Sequence, residues 1–257
     1  MKVRSIPSGH VSMASIVLAA SLFLTFTAMA QSTNSPSAAE VQGQTLTSEI
    51  LSETPATNFT QTGVLRIRNS GGSTNIPVTF ETVIGTDRWQ VHYAAGKPGM
   101  LESLMIVHQN YEPNEYYFLS TNAGTVIDGS MTRLNHDQIM SPFAGSDFSI
   151  ADLGLEFFHW PDQKVTGHET RRMRDCTKLE SDDPNPGGYS RVVTWIDDQT
   201  LGIIHAEAYD ANGKLLKVFD PKSLKKVNGQ WELQDIEIRN VQTRSRTRIQ
   251  FNLNGKS

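Results

Sequence analysis

The sequence predicts a mainly β fold, a curved antiparallel sheet or barrel with two or more helices packed on it. Three observations carry that reading. Short segments rich in β-branched and aromatic residues repeat along most of the chain with a period of two. They are separated by connections of hairpin length built from Gly, Asn, Asp and Pro. Only two stretches carry apolar residues at helical spacing, too few to place a crossover helix between successive strands as a parallel sheet requires.

Residues 31–39 are polar and low in complexity, and are expected to form a flexible lead-in. Val41, Leu46, Ile50 and Leu51 then recur at roughly helical spacing. Thr54-Pro55 ends that pattern, because proline lacks a backbone donor and its ring clashes with the preceding turn. Residues 62–68, 76–84, 88–94, 102–108 and 115–120 follow as five strands in a meander, joined by turns at 69–75, 85–87, 96–99 and 110–114. The middle of the chain breaks this rhythm. Residues 134–143 contain Met and Ile without a strand period, and Ser149-Ile150-Ala151-Asp152 has the form of a capping box, predicting a helix to about His159. Ile150, Leu153, Phe157 and Trp160 share one face of that helix, which makes it a candidate lid. Strand signals resume over 163–179, 189–196, 201–209 and 215–220. Residues 224–227 and 231–240 flank Asn228-Gly229, the dipeptide best suited to a type I′ turn, and 244–253 closes the chain.

The first thirty residues set the compartment. Lys2 and Arg4 precede a mostly apolar or small run over 11–27, and Ala28-Met29-Ala30 is an A-x-A peptidase site followed by Gln31. The pattern is that of a secretory signal peptide cleaved after Ala30. Its strongly apolar part, 16–26, is about half the roughly 20 residues a membrane-spanning helix needs, and a lipoprotein signal would carry Cys where Gln31 stands. A soluble, monomeric periplasmic protein is expected, with one domain over 40–257. A chain that is 38% hydrophobic and 19% charged can build a core, which excludes a wholly disordered protein. Its 23 basic and 27 acidic residues give a formal charge of −4, more negative once Lys2 and Arg4 leave, which argues against nucleic acid as a partner. Cys176 is the only cysteine, so no internal disulfide forms, and burial is its expected fate.

The chemistry-bearing residues form no motif. His92, His108, His136, His159, His168 and His205 are scattered without HxxxH or HxH spacing, and neither a CxxC pair, a GxSxG elbow nor a phosphate loop is present. Asp182-Asp183 and Asp197-Asp198 stand where solvated turns are expected. The expectation is a non-catalytic binding protein with no metal and no cofactor. Apolar faces are the remaining signal. Trp89, Val91 and Tyr93 share one face of their strand, Leu104 and Ile106 a face of the next, and Tyr117 and Leu119 a face of a third. A curved sheet and two helices enclosing those faces leave an apolar surface able to take a lipid tail. Met100, Leu101, Met140 and Phe143 are expected at its mouth. Arg244, Arg246 and Arg248 line one face of the last strand, read as a solvated outer face.

Ser141-Pro142-Phe143-Ala144-Gly145-Ser146-Asp147-Phe148-Ser149 with Asp152-Leu153, then Arg191 through Asp197 with Trp195, the Tyr209 to Lys217 segment and the Asn228-Gly229-Gln230-Trp231 hairpin, carry a resemblance. Together they resemble the outer-membrane lipoprotein-sorting, LolA-like superfamily, in particular its broad uncharacterised branch; the match is specific over 141–231 and generic before. The resemblance implies an unclosed antiparallel β-barrel covered by helices, whose apolar cavity holds acyl chains of lipoproteins or lipids across the periplasm. It implies no cofactor, and a membrane-bound donor or acceptor protein as partner. The Asp147-Phe148 joint and the helix bearing Leu153 and Phe157 would act as the lid. A carrier for sorting to the outer membrane is the first reading. A lipid- or lipoprotein-sensing scaffold of the same fold, acting through a protein partner, is the alternative.

Overall fold

The computed structural model describes residues 35–97, 100–109, 112–122, 125–185, 187–227 and 230–253. The leader with its cleavage site, residues 31–34 and the Asn228-Gly229 turn lie outside the described residues. Helix α1, Ala38–Ser52, starts on a complete capping box, with Glu40 N–H donating to Ser37 Oγ at 3.3 Å and Ser37 N–H donating to Glu40 Oε2 at 2.6 Å. Its packing face centres on Gly43 and Thr47, while Val41 is half exposed. A Cβ on Gly43 would stand 2.5 Å from the Gln163 carbonyl oxygen, so only glycine lets the helix lie directly on that strand.

The strands are β1 Phe59–Asn69, β2 Gly72–Ile84, β3 Arg88–Lys97, β4 Met100–Gln109, β5 Glu112–Asn122, β6 Thr125–Arg133, β7 Asp162–Arg171, β8 Arg174–Asp182, β9 Arg191–Asp197, β10 Ile203–Tyr209, β11 Leu215–Val227, β12 Gln230–Asn240 and β13 Ser245–Phe251. They make one antiparallel sheet in the order β6-β5-β4-β3-β2-β1-β13-β12-β11-β10-β9-β8-β7. Two meanders are thus joined where the first strand pairs with the last, from Gly63↔Phe251 to Arg68↔Arg246. The sheet does not close: its edges are β6 and β7, and α1 packs along β7, which shields an edge that would otherwise invite pairing.

The crossing segment, 134–161, leaves one edge and arrives at the other. It contains α2 His136–Ile139, a 3-10 turn at Phe143–Gly145, α3 Ile150–Leu153 and a second 3-10 turn at Glu156–His159. The predicted continuous helix from 149 to about 159 is therefore two short pieces broken at Gly154 and Leu155, where Leu155 takes φ 50° and ψ 43°. α3 touches both halves of the sheet: Tyr93 of β3 donates to the Leu153 carbonyl and Lys217 of β11 pairs with Asp152. β3 and β11 stand five places apart in strand order, about 24 Å in a flat sheet. Reaching one four-residue helix from both requires the sheet to curl around it.

Two apolar clusters fill the inner face. One joins Leu65, Val78, Val91, Leu104 and Ile106 of β1–β4 with Ile238 and Ile249 and with Phe143, Phe148 and Ile150 of the crossing segment. The other joins Leu179, Val192, Ile196 and Ala206 with Phe157, Phe158 and Trp160. On the outer face Cys176, buried as expected, packs with Val193 and Trp195.

Several strand expectations are corrected. The run 163–179 is a hairpin of β7 and β8 turning at Arg172 and Met173, both at positive φ. The runs 215–220 and 224–227 are one strand, with Pro221 accommodated at a register shift. β6 was not expected. Arg244 sits in the turn before β13 at φ 59°. Arg246 and Arg248 do share the outer face, directly opposite Arg68 and Arg66 of β1. Glu237 offsets part of this row, meeting Arg248 at 3.2 Å and Arg239 at 3.9 Å.

Candidate functional site

The inner face leaves two adjoining cavities against the crossing segment. The larger, about 400 Å³, is mostly apolar: Phe80, Phe148, Phe219, Ile236, Ile249 and Phe251 are among its walls, and Asp152 also lines it. The smaller, about 250 Å³, lies toward β3–β5 and is walled by Trp89, Val91, His108, Gln109, Asn114 and His159 among others. Ile50, Tyr93, Leu153, Leu155 and Phe158 line both, so the two form one cleft with a shared waist. Leu155 also lines a narrow pocket of about 30 Å³ with Phe157.

Leu155 is held at that waist by its backbone. A left-handed leucine is an outlier costing about 1–2 kcal/mol, and the residue is 36% exposed. Glycine would remove that strain, but the neighbouring position needs the glycine for another reason. A Cβ on Gly154 would stand 2.2 Å from the Tyr116 hydroxyl.

Polar latches hold the crossing segment to the sheet. Tyr93 Oη donates to the Leu153 carbonyl at 3.1 Å, Asn114 Nδ2 to the Gly154 carbonyl at 2.8 Å, and Tyr116 Oη to Glu156 Oε2 at 2.8 Å. Burial raises the Glu156 carboxyl above its ordinary range and pushes the Tyr116 phenol well up. Asp152 accepts from Tyr189 Oη at 2.9 Å and from Lys217 Nζ at 3.1 Å, and closes a capping box with Ser149. Asp147 is gripped by β13: Thr247 donates to its carboxylate at 2.8 Å and Ser245 does the same. Gln163 Nε2 donates to the Phe157 and Trp160 carbonyls, each at 2.9 Å. Buried hydrogen-bond networks of this kind fix geometry.

The structure brings together Trp89, Val91, Tyr93 and Leu153 as cavity wall, with Leu104 and Ile106 behind them in the core. It moves other predicted site residues. Tyr117 and Leu119 pack with Met105 and Val107 in a separate outer cluster, because the register sets Met105 opposite Tyr117 and Ile106 opposite Tyr116. Phe143 is buried in the core instead of standing at a mouth, while Phe148, only 3% exposed, belongs to the same core and also walls the larger cavity. Met140 bridges the two inner clusters and covers Gly188. The Met100 side chain lies outside the described residues. Phe80, Phe219, Ile236, Ile249 and Phe251 were missed, although all sit on segments read as strands; their alternation was the available signal. Among the described residues no group of three or more His, Cys, Asp or Glu could hold a metal.

An open antiparallel sheet curled around a latched helical segment, with an apolar cleft between them, defines the class: this is the LolA-like fold. A DUF1329 family protein from Desulfovibrio piger is 18% identical, with a TM-score of 0.65 over 83% of this chain and 91% of that one. A domain of Vibrio parahaemolyticus named for outer membrane lipoprotein sorting is 17% identical, with a TM-score of 0.67 over the same shares of the two chains. A LolA superfamily protein from Nitrosomonas europaea is 12% identical, with a TM-score of 0.54 over 84% of this chain and 92% of that one. No curated protein sequence matches this chain. A protein-family model described as an uncharacterized protein matches residues 125–253, half of the chain, and the chain belongs to that family.

Proposed function

We propose that the protein is a non-catalytic periplasmic carrier that binds the acyl chains of lipoproteins or lipids in the inner cleft. The observation that carries this reading is the cleft itself: about 400 Å³ of aromatic and aliphatic wall, continuous with about 250 Å³ more, in a size range that ligand sites occupy. Each methylene placed there contributes about 0.8 kcal/mol, so affinity for a chain needs neither nucleophile nor cofactor. The A-x-A leader supports export to the periplasm, and the name carried by the Vibrio parahaemolyticus domain supports lipoprotein sorting as the setting. The entry point in this reading is the turn at Gly154 and Leu155, where Leu155 is 36% exposed, while Phe143, Phe148, Ile150 and Ala151 before it and Phe157 and Phe158 after it stay buried in the core.

Native mass spectrometry of the protein purified from a Gram-negative periplasm without detergent, followed by lipid extraction, tests the reading. A stoichiometric acyl-bearing ligand is expected. An empty protein that also takes up no added lipid or lipoprotein overturns it and leaves the scaffold that acts through a protein partner.

A further inference from the structure

Resting on the carrier reading, we propose that the smaller cavity is a head-group subsite that selects an uncharged head bearing hydroxyl or amide groups and rejects a phosphate. The cleft is amphipathic along its length. Its large end is aromatic and aliphatic apart from Asp152, whose carboxylate is engaged by Tyr189 and Lys217, whereas the small end presents His108, Gln109, Asn114 and His159, with Glu53 exposed beside them. A chain with a polar terminus therefore has one orientation that leaves no polar group in the apolar end.

The donor set decides the charge of the head. Among the described residues, neither cavity is lined by an arginine or a lysine. A phosphate drawn into the small end would lose its hydration and meet no cation in the wall, since Lys217 stands by the other cavity and is spent on Asp152, and Glu53 adds a like charge beside it. Hydrogen-bonding capacity, by contrast, is present and partly unused. Asn114 is 8% exposed and spends its amide N–H groups on Gly154 and Tyr116, while its Oδ1 meets no donor at hydrogen-bonding geometry. The His108 ring stands beside it, stacked on Trp89 with centroids 3.8 Å apart, and forms a flat wall. Burial pushes the His108 and His159 imidazoles down to about 4, so both are neutral at pH 7. A neutral imidazole offers one donor and one acceptor, which suits a hydroxyl or an amide.

Two lipids with one chain separate head from tail: monooleoylglycerol and its phosphate ester, monooleoyl lysophosphatidic acid. Each displaces a neutral fluorescent naphthylamine probe from the purified protein. Monooleoylglycerol is expected to bind about tenfold tighter or more. His108→Arg, which keeps a planar group against Trp89 and adds the missing cation, is expected to narrow or reverse that ratio, and Gln109→Lys serves if the first variant fails to fold. Equal affinity for the two lipids, or tighter binding of the phosphate by the unaltered protein, overturns the head-group subsite and leaves the carrier reading standing. A protein that takes up neither lipid nor probe overturns both.

Discussion

Gly154 lies so close to Tyr116 that a Cβ built on it would stand 2.2 Å from the phenolic oxygen. The phenol cannot yield freely, because its hydroxyl is engaged with Glu156 at 2.8 Å and the Gly154 carbonyl is held by Asn114. Gly154→Ala must therefore displace the turn that carries Leu155 to the waist of the cleft. The expected loss is about 2 kcal/mol or more, read as a lower urea midpoint with unchanged slope. A variant as stable as the parent would show that the turn is free to shift and that the latch does not hold it.

Asp152 binds three partners from three parts of the chain: its own cap residue Ser149, Tyr189 and Lys217 of β11. Both members of the Asp152–Lys217 pair are little exposed, at 12% and 13% of their side chains. Asp152→Asn strands the ammonium in that setting and is expected to cost about 3 kcal/mol. Adding Lys217→Met removes the unpaired charge and should restore much of the loss, as a double-mutant cycle in urea would show. Strictly additive effects would mean that the pair does not interact across the cleft.

Acid should weaken the fold through the two cleft histidines. Burial holds His108 and His159 at about 4, against an ordinary 6.5, so the unfolded chain takes up protons first as pH falls. Their contribution is intact above pH 6.5 and is lost progressively between about 6.5 and 4, at up to about 1.4 kcal/mol per pH unit for each. Glu156 acts in the opposite sense, since a raised carboxyl gains stability as it is neutralised. The difference between parent and His108→Gln isolates the histidine: their stabilities should converge as pH falls from 7 to 4.5. Parallel curves would place His108 at its ordinary value.

Strand period and turn chemistry made most of the sheet legible in the sequence, and the departures have local causes. The β7–β8 turn was invisible because Arg172 and Met173 adopt positive φ without the Gly or Asn that marks such turns. Pro221 interrupted a strand that in fact runs on through a bulge. Residues 116–119, Tyr-Tyr-Phe-Leu, are apolar on both faces, so alternation could not choose between Tyr116 and Tyr117, and the wrong parity was taken. The capping box at Ser149 was readable, but the helix it starts ends within one turn, because Tyr116, 38 residues earlier in the chain, leaves room only for Gly154. Of the site, the strand-borne wall around Trp89, Val91 and Tyr93 could be seen. The polar end could not: it brings His108 and Asn114 of the first meander to His159 of the crossing segment, a long-range meeting that no local spacing encodes.

The two faces of the sheet give the sharpest test of where ligand sits. Leu155 stands at the junction of the cavities and is already 36% exposed, so Leu155→Asp adds a charge there without burying it in the core. Tyr117 lies on the outer face with Met105 and Val107, and Tyr117→Asp places the same charge on the other side of the sheet. If acyl chains occupy the inner cleft, the first variant loses about tenfold or more in affinity for the naphthylamine probe, because a carboxylate at the waist must stay hydrated where the chain would pass. The second retains the parent's affinity. Equal losses would point to general destabilisation, which thermal melts of both variants would reveal, and loss confined to Tyr117→Asp would move the binding surface to the outer face.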